Sequence, residues 1–174
     1  EKTGLLLDPY FSSTKLEWVL KNNSEVKSAA DAGTLAVGTI ESFLLARLSG
    51  GVSHATEPSN ASRTMLFNLA EKKWDAELLK IFGINEKILP EVKPTFSTFG
   101  VTKGLGVLPD GIKISGMIGD QQSALLGQAC LEEGQAKCTY GTGAFLLMNT
   151  GKNLKRSTHR LLTTIAWNVP NKDG

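Results

Sequence analysis

A chain of 174 residues, 41% hydrophobic and 21% charged, is long enough to bury a sizeable core as one domain, or as one domain with part of another. Its net charge of +2 is spread over scattered Lys and Arg, with no basic stripe for nucleic acid and no polybasic patch for a membrane surface, so neither partner is expected. No apolar run approaches the roughly 18 residues that span a bilayer and Glu1-Lys2-Thr3 does not open a secretion signal, so a cytoplasmic protein is expected.

In chain order, Asp8-Pro9-Tyr10-Phe11-Ser12 is a turn leading into a helix, with Thr14 as N-cap and Glu17 completing a capping box. Leu16, Val19 and Leu20 form that helix's inward stripe. Tyr10 on the turn can offer a ring face and a hydroxyl to a small polyol, or it can be a core tyrosine. A short helix from about Glu25 ends at Gly33, and Leu35-Ala36-Val37 is strand-like. Thr39 then caps a helix carrying Ile40, Phe43, Leu44 and Leu48 that ends at Gly50-Gly51, all expected to be structural.

A strand is expected near Val52 to Ala55, a turn-rich loop from Glu57 to Ser62, and a strand over Arg63 to Phe67; no role is assigned to Arg63. Trp74-Asp75 opens a helix with Leu78, Leu79 and Phe82, stopped by Gly83, and a shorter helix from Glu86 to Leu89 is stopped by Pro90. From Phe96 to Ile118 the pattern is strands broken at Gly104-Leu105-Gly106 and Pro109-Asp110-Gly111.

Lys113 to Ile118 reads as a buried strand that Gly119-Asp120 hands to a helix ending near Gly134. The Asp120 carboxylate thus sits at a strand-to-helix corner, a place where α/β sheets bind ligands, although a plain helix cap would use the same residue. Residues 135–140 alternate Ala136, Cys138, Tyr140 against Gln135, Lys137, Thr139, and a second apolar run begins at Ala144. A hairpin is expected, with Gly141-Thr142-Gly143 at its tip. Glycines at positive φ would let backbone amides converge on an anion, with the Thr142 hydroxyl as a further donor. Cys130 and Cys138 show no metal-ligand spacing and are expected to be small core residues. His54 and His159 are isolated, and no metal site is predicted. The chain lacks an initiator Met and stops at Asn171-Lys172-Asp173-Gly174 after a strand-like run, so an internal piece of a longer protein is expected.

Taken together, Asp8-Pro9-Tyr10-Phe11-Ser12, SNASRTMLFN at 59–68, GDQQSALLGQ at 119–128 and TYGTGAFLLMNTG at 139–151 resemble the glycerol kinases of the carbohydrate-kinase family. That resemblance implies an α/β, ribonuclease H-like (actin-like ATPase) fold, incomplete here, with a mixed sheet and flanking helices. Residues 1–133 would be the latter part of the first, glycerol-binding domain, and 134–174 the opening hairpin and strands of the second, nucleotide-binding domain.

The family transfers the γ-phosphoryl of Mg-ATP to glycerol, giving sn-glycerol 3-phosphate. By resemblance Asp120 is the general base, Tyr10, Asp120 and Gln121 bind glycerol, and Phe145 is the aromatic beside it. Thr142, with Gly141 and Gly143, contacts the nucleotide. The resemblance leaves homo-oligomer formation by the full-length enzyme open. It also implies that a phosphate-gripping hairpin and an Arg-Glu glycerol clamp are missing from this piece, which alone should be inactive. The stretch from Lys103 to Gly111 lacks the arginine that relatives use to bind fructose 1,6-bisphosphate, so that inhibition is not expected. Ala144 and Phe43, where relatives often have Cys and Trp, read as packing changes. A sibling kinase for another polyol or sugar, or a catalytically dead nucleotide-binding protein on the same fold, are the alternatives.

Overall fold

A computed structural model describes residues 1–169; the end of the expected second unit, 170–174, lies outside the described residues. Helices α1 (Ser12–Asn22), α2 (Ser24–Asp31) and α3 (Ile40–Leu48) come first. They are followed by strand β1 (Ala55–Thr56), the short helix α4 (Pro58–Ala61) and the β2 (Phe67–Asn68)–β3 (Lys73–Trp74) ladder. Helix α5 (Ala76–Phe82), a 3-10 turn at Glu86–Ile88 and strand β4 (Glu91–Val92) precede β5 (Gly100–Val101) and β6 (Lys113–Ile114). Helix α6 (Asp120–Gly127) then leads to the hairpin of β7 (Ala136–Tyr140) and β8 (Ala144–Met148).

Strand β4 pairs parallel to β1, with Ala55 opposite Glu91, while β2–β3, β5–β6 and β7–β8 are antiparallel. Among the described residues the expected mixed sheet is present as four separate two-strand ladders, one parallel and three antiparallel.

The main core gathers Leu66, Phe67, Trp74, Leu79, Ile84 and Ile88, with Leu16 and Leu20 of α1 packed against it. Phe67 and Trp74 meet edge to face, ring centroids 5.7 Å apart, and the indole N–H donates to the Pro90 carbonyl at 2.9 Å, so the ring is buried without an orphaned donor. A smaller cluster of Leu45, Ala55 and Phe99, joined by Ile114 and Met117, lies under the approach to Asp120.

Where the start and stop signals are local, the expectations hold. Asp75 caps α5 by accepting from the Glu77 and Leu78 amides, both at 3.1 Å, and Gly83 closes that helix at φ 64°. Burial alone would raise the Asp75 carboxyl, but hydrogen bonds from Lys2, Asn68 and the Leu78 amide outweigh it and hold the pKa at about 2.

Elsewhere tertiary contacts override local signals. Helix α1 starts at Ser12, with Phe11 in the N-cap position and no side-chain cap. The expected Thr14–Glu17 box is absent because the Ser13 amide is taken by the Thr64 carbonyl at 3.0 Å, which sets the first turn three residues early. Residues 35–37 form no strand, although the Val37 amide bonds to the Ile88 carbonyl at 2.9 Å. Helix α3 buries Glu41, Ser42 and Leu45, whereas Ile40, Phe43 and Leu44, expected to be structural, are exposed.

The expected loop at 57–62 contains the buried helix α4. The strand expected over 63–67 is largely a turn, with Met65 at φ 66°, and extended pairing begins only at Phe67. Lys113 to Ile118 is neither a full strand nor buried: the ladder with β5 ends at Ile114, after which only the Met117 amide bonds back, to the Thr95 carbonyl at 3.1 Å. Helix α6 ends at Gly127, seven residues before Gly134. Ala129 turns left-handed at φ 56°, and the Cys130 amide closes onto the Leu125 carbonyl. Cys130 is therefore past the helix and buried, as expected for a core residue, but Cys138 is exposed on β7.

Candidate functional site

The corner before α6 is built on buried carboxylates. Glu57 is fully buried and N-caps α4 by accepting from the Ser59 amide at 2.9 Å and the Asn60 amide at 2.8 Å. It also accepts from the Ser59 and Thr95 hydroxyls and the Asn60 side chain. The Ser59 hydroxyl in turn accepts the Gly119 amide at 2.8 Å, so the residue immediately before Asp120 is tied to α4. A Cβ at position 119 would meet Gln122 Oε1 at 2.7 Å and Ser59 Oγ at 3.3 Å, which explains glycine there.

Glu41 joins this network through the Thr56 hydroxyl, the Glu57 amide and the Asn60 side chain. Burial, and next the Glu57 charge, push its carboxyl from the ordinary 4.5 up to about 7, against the pull of its hydrogen bonds. The unfolded chain releases this proton first, so Glu41 costs stability progressively as pH rises from about 4.5 to about 7. Glu41→Gln should remove that slope: between pH 5 and 8 the urea midpoint of the parent chain falls more than that of the variant. Equal slopes would mean that Glu41 ionises normally.

Asp120 is the first residue of α6, and Gly119 occupies the cap position. It is not the helix cap. Its Oδ1 accepts only the Gln121 amide, at 2.8 Å, its Oδ2 faces the Gln121 Nε2 at 3.5 Å, and the side chain is exposed.

The turn before α1 presents a second group. Asp8 Oδ1 accepts the Tyr10 amide at 2.7 Å, and the Phe11 ring is buried edge-on against Tyr10 at 5.4 Å. Tyr10 itself is 68% exposed, which rules out the core alternative. Arg63 lies over the Phe11 ring at 5.2 Å and makes no ion pair with a carboxylate among the described residues.

Tyr10, Arg63, Asp120, Gln121 and Phe145 line one open cleft of about 2050 Å³. Arg63 was passed over because an isolated arginine carries no local signal; only the fold sets it beside Tyr10. A separate apolar cavity of about 460 Å³ between α1 and the core has Lys15 as its one charged lining residue.

The hairpin forms as expected, with Tyr140 opposite Ala144 and a three-residue bend. The bend differs from the expected amide cradle. Gly141 and Gly143 are not at positive φ, and the Gly141 amide donates to the Gly143 carbonyl at 3.0 Å. Thr142 is exposed, and the three bend residues are not among those lining the cleft. Gly143 has a packing reason: a Cβ there would lie 3.0 Å from the Phe145 ring, which folds back over the bend. The strand's alternation is also reversed. Ala136, Cys138 and Tyr140 are exposed, while Lys137 is 2% exposed, its ammonium donating to Gln121 Oε1 and to the Thr139 hydroxyl.

Residues 1–127 of the 174 match the FGGY family of carbohydrate kinases, N-terminal domain. The chain belongs to this family. Among similar FGGY-family proteins, the glycerol kinase of Bdellovibrio bacteriovorus is 58% identical over 172 residues, 99% of this chain and 35% of that protein. The glycerol kinase of Bacillus subtilis is 52% identical over 172 residues, again 99% and 35%.

The crystal structure of Plasmodium falciparum glycerol kinase with ADP superposes with a TM-score of 0.94 at 45% identity, covering 99% of this chain and 34% of that one. Xylulose kinase from Rhodospirillum rubrum matches with a TM-score of 0.77 at 19% identity over 90% of this chain and 32% of its own, a likeness of fold alone. This FGGY chain spans about a third of the length of the curated relatives it matches. The expected actin-like, ribonuclease H-like α/β architecture is thus present as a partial unit.

Proposed function

We propose that the full-length protein carrying this chain transfers the γ-phosphoryl group of ATP to glycerol, giving sn-glycerol 3-phosphate, with Asp120 as general base. The observation that carries the reading is the shared cleft: an exposed carboxylate at a helix start, with Tyr10, Gln121 and Phe145 lining the same cleft. Phosphoryl transfer has a loose transition state, so placing the alcohol and stabilising phosphoryl charge account for most of the catalysis. The base need only receive the hydroxyl proton as the new P–O bond forms.

Tyr10 and Gln121 would hold the polyol and Phe145 would pack beside its carbons. The exposed Thr142 hydroxyl, flanked by Gly141 and Gly143, would meet the nucleotide. Mg²⁺ would arrive with the nucleotide, bound chiefly by phosphate oxygens. Among the described residues no group of three or more His, Cys, Asp or Glu side chains is placed to hold a metal ion.

A division at 133/134 into a glycerol-binding and a nucleotide-binding unit is part of the same proposal. Its support is that the family match stops at residue 127 and β7 begins at Ala136. A cytoplasmic setting also belongs to this reading; among the described residues no helix is long and apolar enough to cross a membrane.

ADP release by the full-length protein, compared across glycerol, erythritol and pentuloses, tests the reading. Preference for glycerol supports it; preference for another acceptor assigns a sibling kinase, and ATP binding without turnover assigns a regulatory protein. Within the glycerol reading, Tyr10→Ala should raise the glycerol KM about tenfold and change kcat little, as expected for a contact made equally in ground and transition states. An unchanged KM would remove Tyr10 from the polyol site.

A further inference from the structure

The Lys137 ammonium is buried between α6 and the hairpin, at the back of Gln121. Only two acceptors engage it, Gln121 Oε1 and Thr139 Oγ1, the latter at 2.6 Å. Among the described residues it forms no ion pair with a carboxylate. An ammonium has donors and no acceptor, so the Gln121 atom facing it must be the carbonyl oxygen. The amide cannot then flip, and its NH₂ group is turned the other way, where Asp120 Oδ2 lies 3.5 Å from Nε2.

Gln121 is thereby held between a buried cation and an exposed anion, and it lines the cleft next to Asp120. We propose that Lys137 is a positioning residue that locks Gln121 as a hydrogen-bond donor toward the cleft, so that the pair Gln121–Asp120 offers a hydroxyl group one donor and one acceptor. This rests on the glycerol-kinase reading and names what orients its polyol site. A hydroxyl is both acceptor and donor, so it satisfies both partners at once; a ligand group lacking either function would leave one of them unpaired.

The test uses the full-length enzyme. Lys137→Met removes the donor at similar length and frees the amide to flip. The glycerol KM should rise about tenfold, with far smaller changes in kcat and in the ATP KM. Gln121→Ala should raise the glycerol KM similarly, and the double variant should be little worse than either single, because both remove one unit.

A glycerol KM within twofold of the parent in Lys137→Met, or losses that multiply in the double variant, would overturn the assignment. A loss shared equally by glycerol and ATP, as from general loosening, would overturn it too.

Gln121→Glu gives a second readout that does not need turnover. A carboxylate facing Lys137 forms an ion pair, so Tm should rise, and the rise should vanish when Lys137→Met is added. A Tm change that stays the same when Lys137→Met is added would mean that the ammonium does not face residue 121. If the parent enzyme turns over no glycerol, the glycerol reading fails while the Tm arm still decides the Lys137–Gln121 contact. Turnover with a KM indifferent to Lys137 strikes the positioning role alone.

Discussion

On the proposed glycerol-phosphorylating reading, Asp120→Asn in the full-length protein is expected to lower kcat by about 10²–10⁴-fold, while the glycerol KM changes little. Asparagine keeps the size of the side chain and can still accept the Gln121 amide through its carbonyl oxygen, the one hydrogen bond under 3 Å that holds Asp120 in place. What it loses is an oxygen that can take a proton.

The effect should fall on kcat because the proton moves only as the bond to phosphorus forms, whereas the alcohol is also held by neighbouring groups in the ground state. Asp120 is exposed and sits in the first turn of α6, where unpaired backbone amides favour negative charge. The geometry therefore leaves a carboxylate oxygen open to the cleft. Turnover within threefold of the parent would remove Asp120 from the chemistry and leave it a surface residue of a helix start.

Glu57→Ala is expected to be strongly destabilising, by about 3–5 kcal/mol. The Glu57 carboxylate is fully buried and receives five hydrogen bonds from Ser59, Asn60 and Thr95. Truncation leaves those donors buried without an acceptor, and α4, of four residues, loses its cap. Domains of this size are stable by about 5–15 kcal/mol, so this loss is a large fraction of the total.

Because Ser59 also accepts the Gly119 amide, the damage should extend to the Asp120 corner. Hydrogen exchange at Gly119 should accelerate along with global unfolding in urea. Glu57→Gln should recover only part of the loss, since its NH₂ must face amide or hydroxyl donors. A ΔG of unfolding within about 0.5 kcal/mol of the parent would show that the buried carboxylate network is dispensable.

The parts of the fold legible in the sequence are those with local causes. Asp75 and Gly83 bracket α5 because an N-cap carboxylate and a left-handed stop act within one turn. The hairpin was visible for the same reason. What was not legible depends on partners distant in the chain. Thr14 and Glu17 spell a capping box, yet the Thr64 carbonyl, some fifty residues away, decides where α1 begins. The Ile40, Phe43 and Leu44 stripe reads as structural, but α3 buries Glu41 and Ser42 beside Leu45 instead, because Thr56, Asn60 and the Glu57 amide satisfy Glu41.

The site shows the same division. Asp120, Gln121, Tyr10 and Phe145 stand out through their motifs, and they line one cleft. Arg63, Ser59 and Lys137 do not stand out. In β7 the residue with the most polar side chain is the one buried, which no alternation rule anticipates, since the rule cannot know that Gln121 and Thr139 await an ammonium.

The most direct measurement is a crystal structure of the full-length enzyme with glycerol and a non-hydrolysable ATP analogue. The account predicts a glycerol hydroxyl about 2.6–3.2 Å from the Asp120 carboxylate, with Gln121 Nε2 and Tyr10 on the same molecule and Gln121 Oε1 turned to Lys137. Glycerol seated outside this cleft, or Asp120 turned into the protein away from it, would contradict it.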